Sequence, residues 1–220
     1  IGQKVSDQQR YQMMQSLGLG QKTGIEMPGE SAGIIGSPKS WDGRQRFTTM
    51  FGQGMACTPL QISSLISTIG NQGVQVMPRL VEGYADSQGI IQKAKAPATT
   101  QKLDQNVAAT LVRMMESVTT DEGTAKKAQI PGYRSAGKTG TSEIISSSGA
   151  SAGVVASFIG LAPAENPEIA VSVVIYKPKS GIYGGVVAGP VFSQVAAQAL
   201  TLLDVPPSTS NPQLYPVSAH

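Results

Sequence analysis

Read as apolar and polar positions, the chain is helical at its start and middle and strand-like after Pro131. Ser6 is placed to cap a helix running from Asp7 to about Leu17. Tyr11, Met14 and Leu17 recur there at helical spacing, and Gly18 and Gly20 stop it. Between Gln21 and Trp41, Gly24, Pro28, Gly29, Gly33, Gly36 and Pro38 punctuate the chain too often for a regular element. Thr58-Pro59 supplies a cap followed by proline at the first helical position. Leu60 to Ile69 then reads as a largely buried helix closed by Gly70 and Gly73. Val74 to Tyr84 reads as a strand, Asp86 to Gly89 as a turn, and Ile90 to Lys93 as a short return strand. Asp104 opens the best amphipathic helix, with Val107, Leu111, Met114, Met115 and Val118 along one face and Gly123 at its end.

After Pro131-Gly132, Tyr133 to Ile145, Val154 to Ala162 and Ile169 to Lys177 read as three consecutive strands. Pro163 to Pro167 joins the last two like a hairpin, so their pairing is expected to be antiparallel. Val186 to Leu203 reads as a terminal apolar helix whose regular start Gly189-Pro190 delays to about Val191. The resulting fold class is α/β in the α+β sense, an antiparallel sheet with helices packed on it. Residues 1–205 form the folded part, and 206–220, rich in Pro, Ser, Thr and Asn, are expected to be a flexible tail. Ile1-Gly2-Gln3-Lys4-Val5 lacks an initiator Met and reads as the continuation of a longer chain.

Composition narrows the chemistry. At 40% hydrophobic residues the chain can build a core, which excludes disorder as its main state. Charged residues make up 14% against an ordinary share of about a quarter. The net charge of +3 is scattered without a basic run, and aromatics are 5%, so nucleic-acid binding gains no support. The lone cysteine, Cys57, excludes an internal disulfide framework and a zinc cluster. The lone histidine, His220, is the last residue, which argues against a histidine triad and a histidine-rich metal site.

The sharpest chemical signal is Gly137-Lys138-Thr139-Gly140-Thr141 on the first of the three strands. A Lys-Thr-Gly strand is one element of the serine enzymes that recognise penicillins and D-alanyl peptides. Lys138 supplies positive charge beside a nucleophile and toward an anionic substrate. Thr139 and Thr141, two apart, share one side of a strand, so both hydroxyls can meet one carboxylate. Gly140 leaves room for a substrate backbone to lie against the strand, and the Thr141 N–H is positioned for a developing oxyanion.

Around this motif the chain resembles the C-terminal half of the transpeptidase domain of class B penicillin-binding proteins, especially the septal, cell-division type. The markers are Gly18-Leu19-Gly20-Gln21-Lys22-Thr23-Gly24-Ile25 with Pro28-Gly29-Glu30, and Gly52-Gln53-Gly54 with Thr58-Pro59-Leu60-Gln61. Ala136-Gly137-Lys138-Thr139-Gly140-Thr141, Phe158-Ile159-Gly160-Leu161-Ala162-Pro163, and Tyr183-Gly184-Gly185 with Gly189-Pro190-Val191-Phe192 complete them. The resemblance covers nearly all residues up to about Val205. It implies a penicillin-binding, serine β-lactamase-like fold, incomplete in this chain. It implies a membrane-anchored peptidoglycan D,D-transpeptidase on the extracytoplasmic face of a bacterial membrane. Lys138 and Thr141 would be catalytic, and Thr139, Gly140 and Thr141 would bind substrate. Stem peptides and β-lactams would be its ligands, the N-terminal part of the protein and other division proteins its partners, and no cofactor would be needed. A β-lactam-hydrolysing or β-lactam-sensing relative, or a non-catalytic binding module on the same fold, are the alternatives.

The departures are equally informative. The family's nucleophile lies in a Ser-x-x-Lys motif followed by Ser-x-Asn, and no Asn here has a Ser two residues before it. The only Ser-x-x-Lys match is Ser135 to Lys138. At that odd spacing on a strand the two side chains face opposite ways, so Ser135 is rejected as nucleophile. Cys57 reads as a small packed or cap-adjacent residue rather than a catalytic thiol, since no internal histidine can pair with it, and Glu116 reads as a solvated or capping charge. Asp121-Glu122-Gly123 reads as a turn rather than a metal loop. Met13, Met14, Met114 and Met115 read as helix-face residues. Ser146 to Gly149 is either a rim loop beside a substrate cleft or a plain hairpin.

Overall fold

The structure, a computed structural model, describes residues 4–215 and divides the chain into two compact units. One comprises Ile1–Leu65 with Val74–Lys102, the other Ile66–Gly73 with Leu103–His220. Ile1, Gly2, Gln3 and the histidine at position 220 lie outside the described residues.

In the first unit, α1 (Asp7–Ser16) starts as its cap chemistry requires. The Ser6 hydroxyl accepts the Gln9 N–H at 3.2 Å, and the Gln9 side chain accepts the Ser6 N–H at 3.0 Å. Gly18 and Gly20 end it with left-handed φ angles of +85° and +76°. A single helical turn, α2 (Gln45–Thr48), precedes α3 (Pro59–Gly70), which continues into the second unit. Thr58 and Gln61 form a second reciprocal cap at 3.1 and 2.8 Å. The Gln61 amide also donates to the carbonyls of Gln21 and Ala32 at 2.7 and 2.8 Å. α3 is less buried than its composition suggests. Gln61, Ile66, Thr68 and Ile69 are buried, Ser67 is exposed, and the remainder of Leu60 to Gly70 is half-buried.

The single strand expected over Val74 to Tyr84 is two. β1 (Val74–Val76) pairs antiparallel with β4 (Thr99–Gln101), while β2 (Gly83–Ala85) pairs antiparallel with β3 (Ile91–Lys93). Between them Pro78 has no N–H to donate, and the Leu80 N–H goes to the Glu26 carboxylate at 2.9 Å, so no ladder can continue. The expected turn closes through Gly89 N–H to the Asp86 carbonyl at 3.0 Å.

In the second unit, α4 (Gln105–Glu116) is capped by Asp104, whose carboxylate accepts the N–H groups of Asn106 and Val107. Its inward face is not the one the apolar pattern picks out. Ala108, Val112 and Glu116 are buried, whereas Val107 and Met114 are 49% and 47% exposed and Leu111, Met115 and Val118 are half-buried. Three strands follow in the order β5 (Ala136–Ile145), β6 (Ser151–Ala162) and β7 (Ile169–Tyr176), antiparallel throughout. β5 begins at Ala136 rather than Tyr133 because the Tyr133 N–H closes a turn on the Ile130 carbonyl at 3.0 Å.

A single turn, α5 (Gly184–Val187), leads into α6 (Gly189–Leu202). Regular helix therefore starts two residues before Val191, since Pro190 in the first turn needs no N–H partner. α6 packs on the sheet through Phe192, Ala196 and Leu200. Phe192 meets Phe158 edge-on with ring centroids 4.7 Å apart. The approach depends on glycine: a Cβ at Gly137 would stand 2.3 Å from Phe158, and one at Gly160 would stand 2.8 Å from Phe192.

Residues 206–215 hold no helix or strand, yet they are tied down. Ser208 accepts the Arg134 N–H at 2.9 Å and donates its own N–H to the Gly132 carbonyl at 2.9 Å. The Arg134 guanidinium donates to the Ser210 hydroxyl at 2.8 Å, and Ser117 and Tyr215 exchange two hydrogen bonds at 2.8 and 3.1 Å.

Candidate functional site

β5 is an edge strand: β6 runs along one side, and no strand pairs with the other among the described residues. Its ladder sets Lys138 opposite Ile159, Thr139 opposite Phe158, Gly140 opposite Ser157 and Thr141 opposite Ala156. Thr139 is thereby registered against Phe158, a fully buried ring of the unit. Alternation turns the backbone groups of Thr139 and Thr141 to the same edge. There the Thr139 carbonyl accepts the Lys138 ammonium at 2.8 Å, on the exposed surface.

The two threonine hydroxyls have separate partners on one side of the sheet. Thr139 Oγ1 lies 3.3 Å from Thr124 Oγ1, and Thr141 Oγ1 accepts the Gly184 N–H at 3.2 Å. Gly184 reaches that position because it lacks a Cβ, which would stand 2.0 Å from the Ser157 carbonyl oxygen and 2.5 Å from that of Gly140. Gly185 is pressed on the Thr124 carbonyl in the same way, at 2.1 Å. Gly140 has an internal reason to be glycine: a Cβ would meet the Ser157 hydroxyl at 2.4 Å. Thr124 and Ser157, both close to the motif, carry no signal in the sequence that ties them to it, and Gly184, although it lies in a marker segment, is not tied by that segment to Thr141. Only the fold reveals these contacts.

Ser135 and Lys138 are not brought together. Ser135 lies just before β5, 4% exposed, with its hydroxyl donated to the Ala128 carbonyl at 3.3 Å, while Lys138 is exposed and engaged elsewhere. Cys57 is half-buried, and burial pushes its thiol up, away from the thiolate a nucleophile needs. Asp121 pairs with Lys126 at 3.2 Å, and that contact holds its carboxyl below the usual range. Ser146 to Gly149 is the β5–β6 hairpin turn, closed by Ser146 N–H to Ala150 O and Gly149 N–H to Ser146 O, each at 2.9 Å.

Glu116 corrects the sequence reading. It is 3% exposed and forms a two-pronged ion pair with Arg134 at 2.6 and 2.9 Å, not a solvated charge. The pair raises the Arg134 guanidinium pKa further, chiefly through the Glu116 hydrogen bonds. It ties the last turn of α4 to the residues that lead into β5.

Residues 1–197 match the family model of the penicillin binding protein transpeptidase domain. The chain is 31% identical to penicillin-binding protein PbpB of Mycolicibacterium smegmatis over 94% of its own length and 34% of the relative's. To peptidoglycan D,D-transpeptidase FtsI of Escherichia coli K12 it is 34% identical, over 86% and 31% respectively. It thus spans about a third of the length of these curated relatives. Penicillin binding protein 3 of Mycobacterium tuberculosis, solved with ampicillin, is 29% identical and superposes with a TM-score of 0.86 over 96% of this chain and 50% of that one. The marker segments, the edge strand carrying Lys-Thr-Gly-Thr and the family match over residues 1–197 converge on one conclusion: this chain belongs to the transpeptidase-domain family of the penicillin-binding proteins.

Proposed function

We propose that these residues supply the Lys-Thr-Gly wall of a serine-type peptidoglycan D,D-transpeptidase. The observation that carries the reading is the edge position of β5, which leaves Lys138, Thr139 and Thr141 beside an unpaired strand edge. A peptide ending in D-Ala-D-Ala lies along that edge as an added strand, its terminal carboxylate toward the Thr139 and Thr141 hydroxyls. The Ser of a Ser-x-x-Lys segment, which these 220 residues do not contain in usable form, attacks the penultimate carbonyl carbon. The carbonyl electrons move onto oxygen, facing the Thr141 N–H, and return as the C–N bond breaks and the proton given up by the Ser hydroxyl passes to the departing D-Ala nitrogen. An amine of a second stem peptide then attacks the acyl-serine ester and regenerates the Ser hydroxyl. The Lys138 ammonium contributes positive charge to this proton network and to the anionic substrate. β-Lactams enter by the same attack and stay as the acyl-enzyme. The work belongs to the extracytoplasmic face of the membrane and to the division machinery.

Fluorescent penicillin offered to the full-length protein tests this. A covalent band is expected, and Lys138→Ala should slow its formation by about 100- to 1000-fold, the cost of losing a positioned charge at a reacting centre, without lowering thermal stability. Acylation unchanged in Lys138→Ala would remove Lys138 from the chemistry.

A further inference from the structure

We infer that Thr124 and the Gly184 amide are positioning groups which set the two β5 hydroxyls as hydrogen-bond donors, so that the site selects a carboxylate over its neutral ester. The inference rests on the proposed role of Thr139 and Thr141 and extends it to two groups outside the motif. A hydroxyl has one hydrogen to give. Thr141 Oγ1 already accepts from Gly184 N–H, a group that can only donate, so its own hydrogen is left for a ligand. Between Thr124 and Thr139, at 3.3 Å, either oxygen can be the donor. A carboxylate, which only accepts, resolves that choice: Thr139 donates to it and Thr124 donates to Thr139.

Two parallel donor relays then end on one anion, Gly184 through Thr141 and Thr124 through Thr139. Each bond in a relay polarises the next, and a charged acceptor strengthens both. Packing keeps the relays in place. Gly184 is wedged against Ser157 and Gly140, and Gly185 against the Thr124 carbonyl, so a side chain at either glycine is excluded. Thr124 itself is exposed, which leaves its hydroxyl little to contribute through burial.

The test compares acylation of the full-length protein by benzylpenicillin and by its methyl ester, in which the carboxylate is neutral. Thr124→Val keeps the β-branched shape and removes the hydroxyl. It should slow benzylpenicillin about two- to tenfold, the range for one neutral hydrogen bond, and leave the ester rate unchanged. Thr124→Ser should restore the rate, and Thr124→Val should cost nothing further once Thr139→Val is present, because Thr124 acts through Thr139. If Thr124→Val lowers thermal stability, Thr124→Ala removes the hydroxyl without adding a second methyl and gives the same comparison. Equal losses on both substrates, or none, while Thr139→Val remains selective for the acid, overturn this inference alone. Should Thr139→Val also show no selectivity, or should the unsubstituted protein not acylate, the proposed function falls and takes the inference with it.

Discussion

Each of the two units is held internally by a different kind of force. Among the described residues of the first, only Leu19, Thr49 and Gln61 are buried, and two of these are polar. Its loops are fastened by single side chains: Gln61 to Thr58, Gln21 and Ala32, Glu30 to Thr23 and Gly24, and Glu26 to Leu80. The second unit buries a continuous apolar cluster around Phe158, Phe192 and Leu200. Apolar packing is non-directional and cumulative, so it tolerates losses in proportion to area. A few hydrogen-bonded anchors fail one at a time. The strand that bears the candidate chemistry belongs to the packed unit, with Thr139 facing Phe158 across the ladder.

The largest expected effect therefore lies in the apolar cluster. Phe158→Ala should cost about 3–5 kcal/mol in chemical denaturation, the range for emptying a buried aromatic site. A loss under about 1 kcal/mol would mean that the packed unit is not carried by its rings. Next comes Gln61→Ala, which leaves the Thr58 N–H and the Gln21 and Ala32 carbonyls without their partner. About 1–3 kcal/mol should be lost. The accompanying rise in amide hydrogen exchange and proteolysis should be confined to the first unit. Spread of that rise into residues 136–176 would break the contrast between the units.

The smallest effect is electrostatic. Glu30 accepts from the Thr23 hydroxyl and from the Thr23 and Gly24 N–H groups, and these bonds, the hydroxyl first, hold its carboxyl below the ordinary range. A lowered folded pKa means that the charged form is favoured by folding. Its contribution is complete above the unfolded value, about 4.3, and is lost as pH falls through the folded value. The melting-temperature gap between the unsubstituted protein and Glu30→Gln should thus be constant above about pH 5 and close in more acid solution. A gap that persists into acid would show that shape, not charge, is what Glu30 provides.

What the sequence reveals unaided follows the range of each interaction. The starts of α1, α3 and α4 are readable because Ser6 with Gln9, Thr58 with Gln61, and Asp104 with Val107 each act within three residues. The antiparallel order of β5, β6 and β7 is readable because each pair is joined by a short turn. The β1–β4 pairing joins segments more than twenty residues apart across another hairpin, and no local pattern marks it. The inward face of α4 is misread because Glu116 resembles a surface charge until Arg134, 18 residues on, supplies its partner. The motif itself stands out in the sequence. Its contacts with supporting groups do not: Thr124 is 15 residues before Thr139, and Gly184, a marker residue, is 43 after the Thr141 it bonds.

The bonds of the C-terminal segment carry a consequence for the order of folding. Ser117 and Tyr215 are 98 residues apart, whereas the β5–β6 ladder closes at Ile145 and Ser151. Loop-closure entropy grows with the logarithm of loop length, which puts the longer closure at a disadvantage of about 2–3 kcal/mol if it must form first. Once the sheet and α6 have packed, most of that span is already ordered and the penalty falls away. The strap formed by Ser208, Ser210 and Tyr215 is thus a late clasp, fastened by residues the ribosome delivers after all three strands.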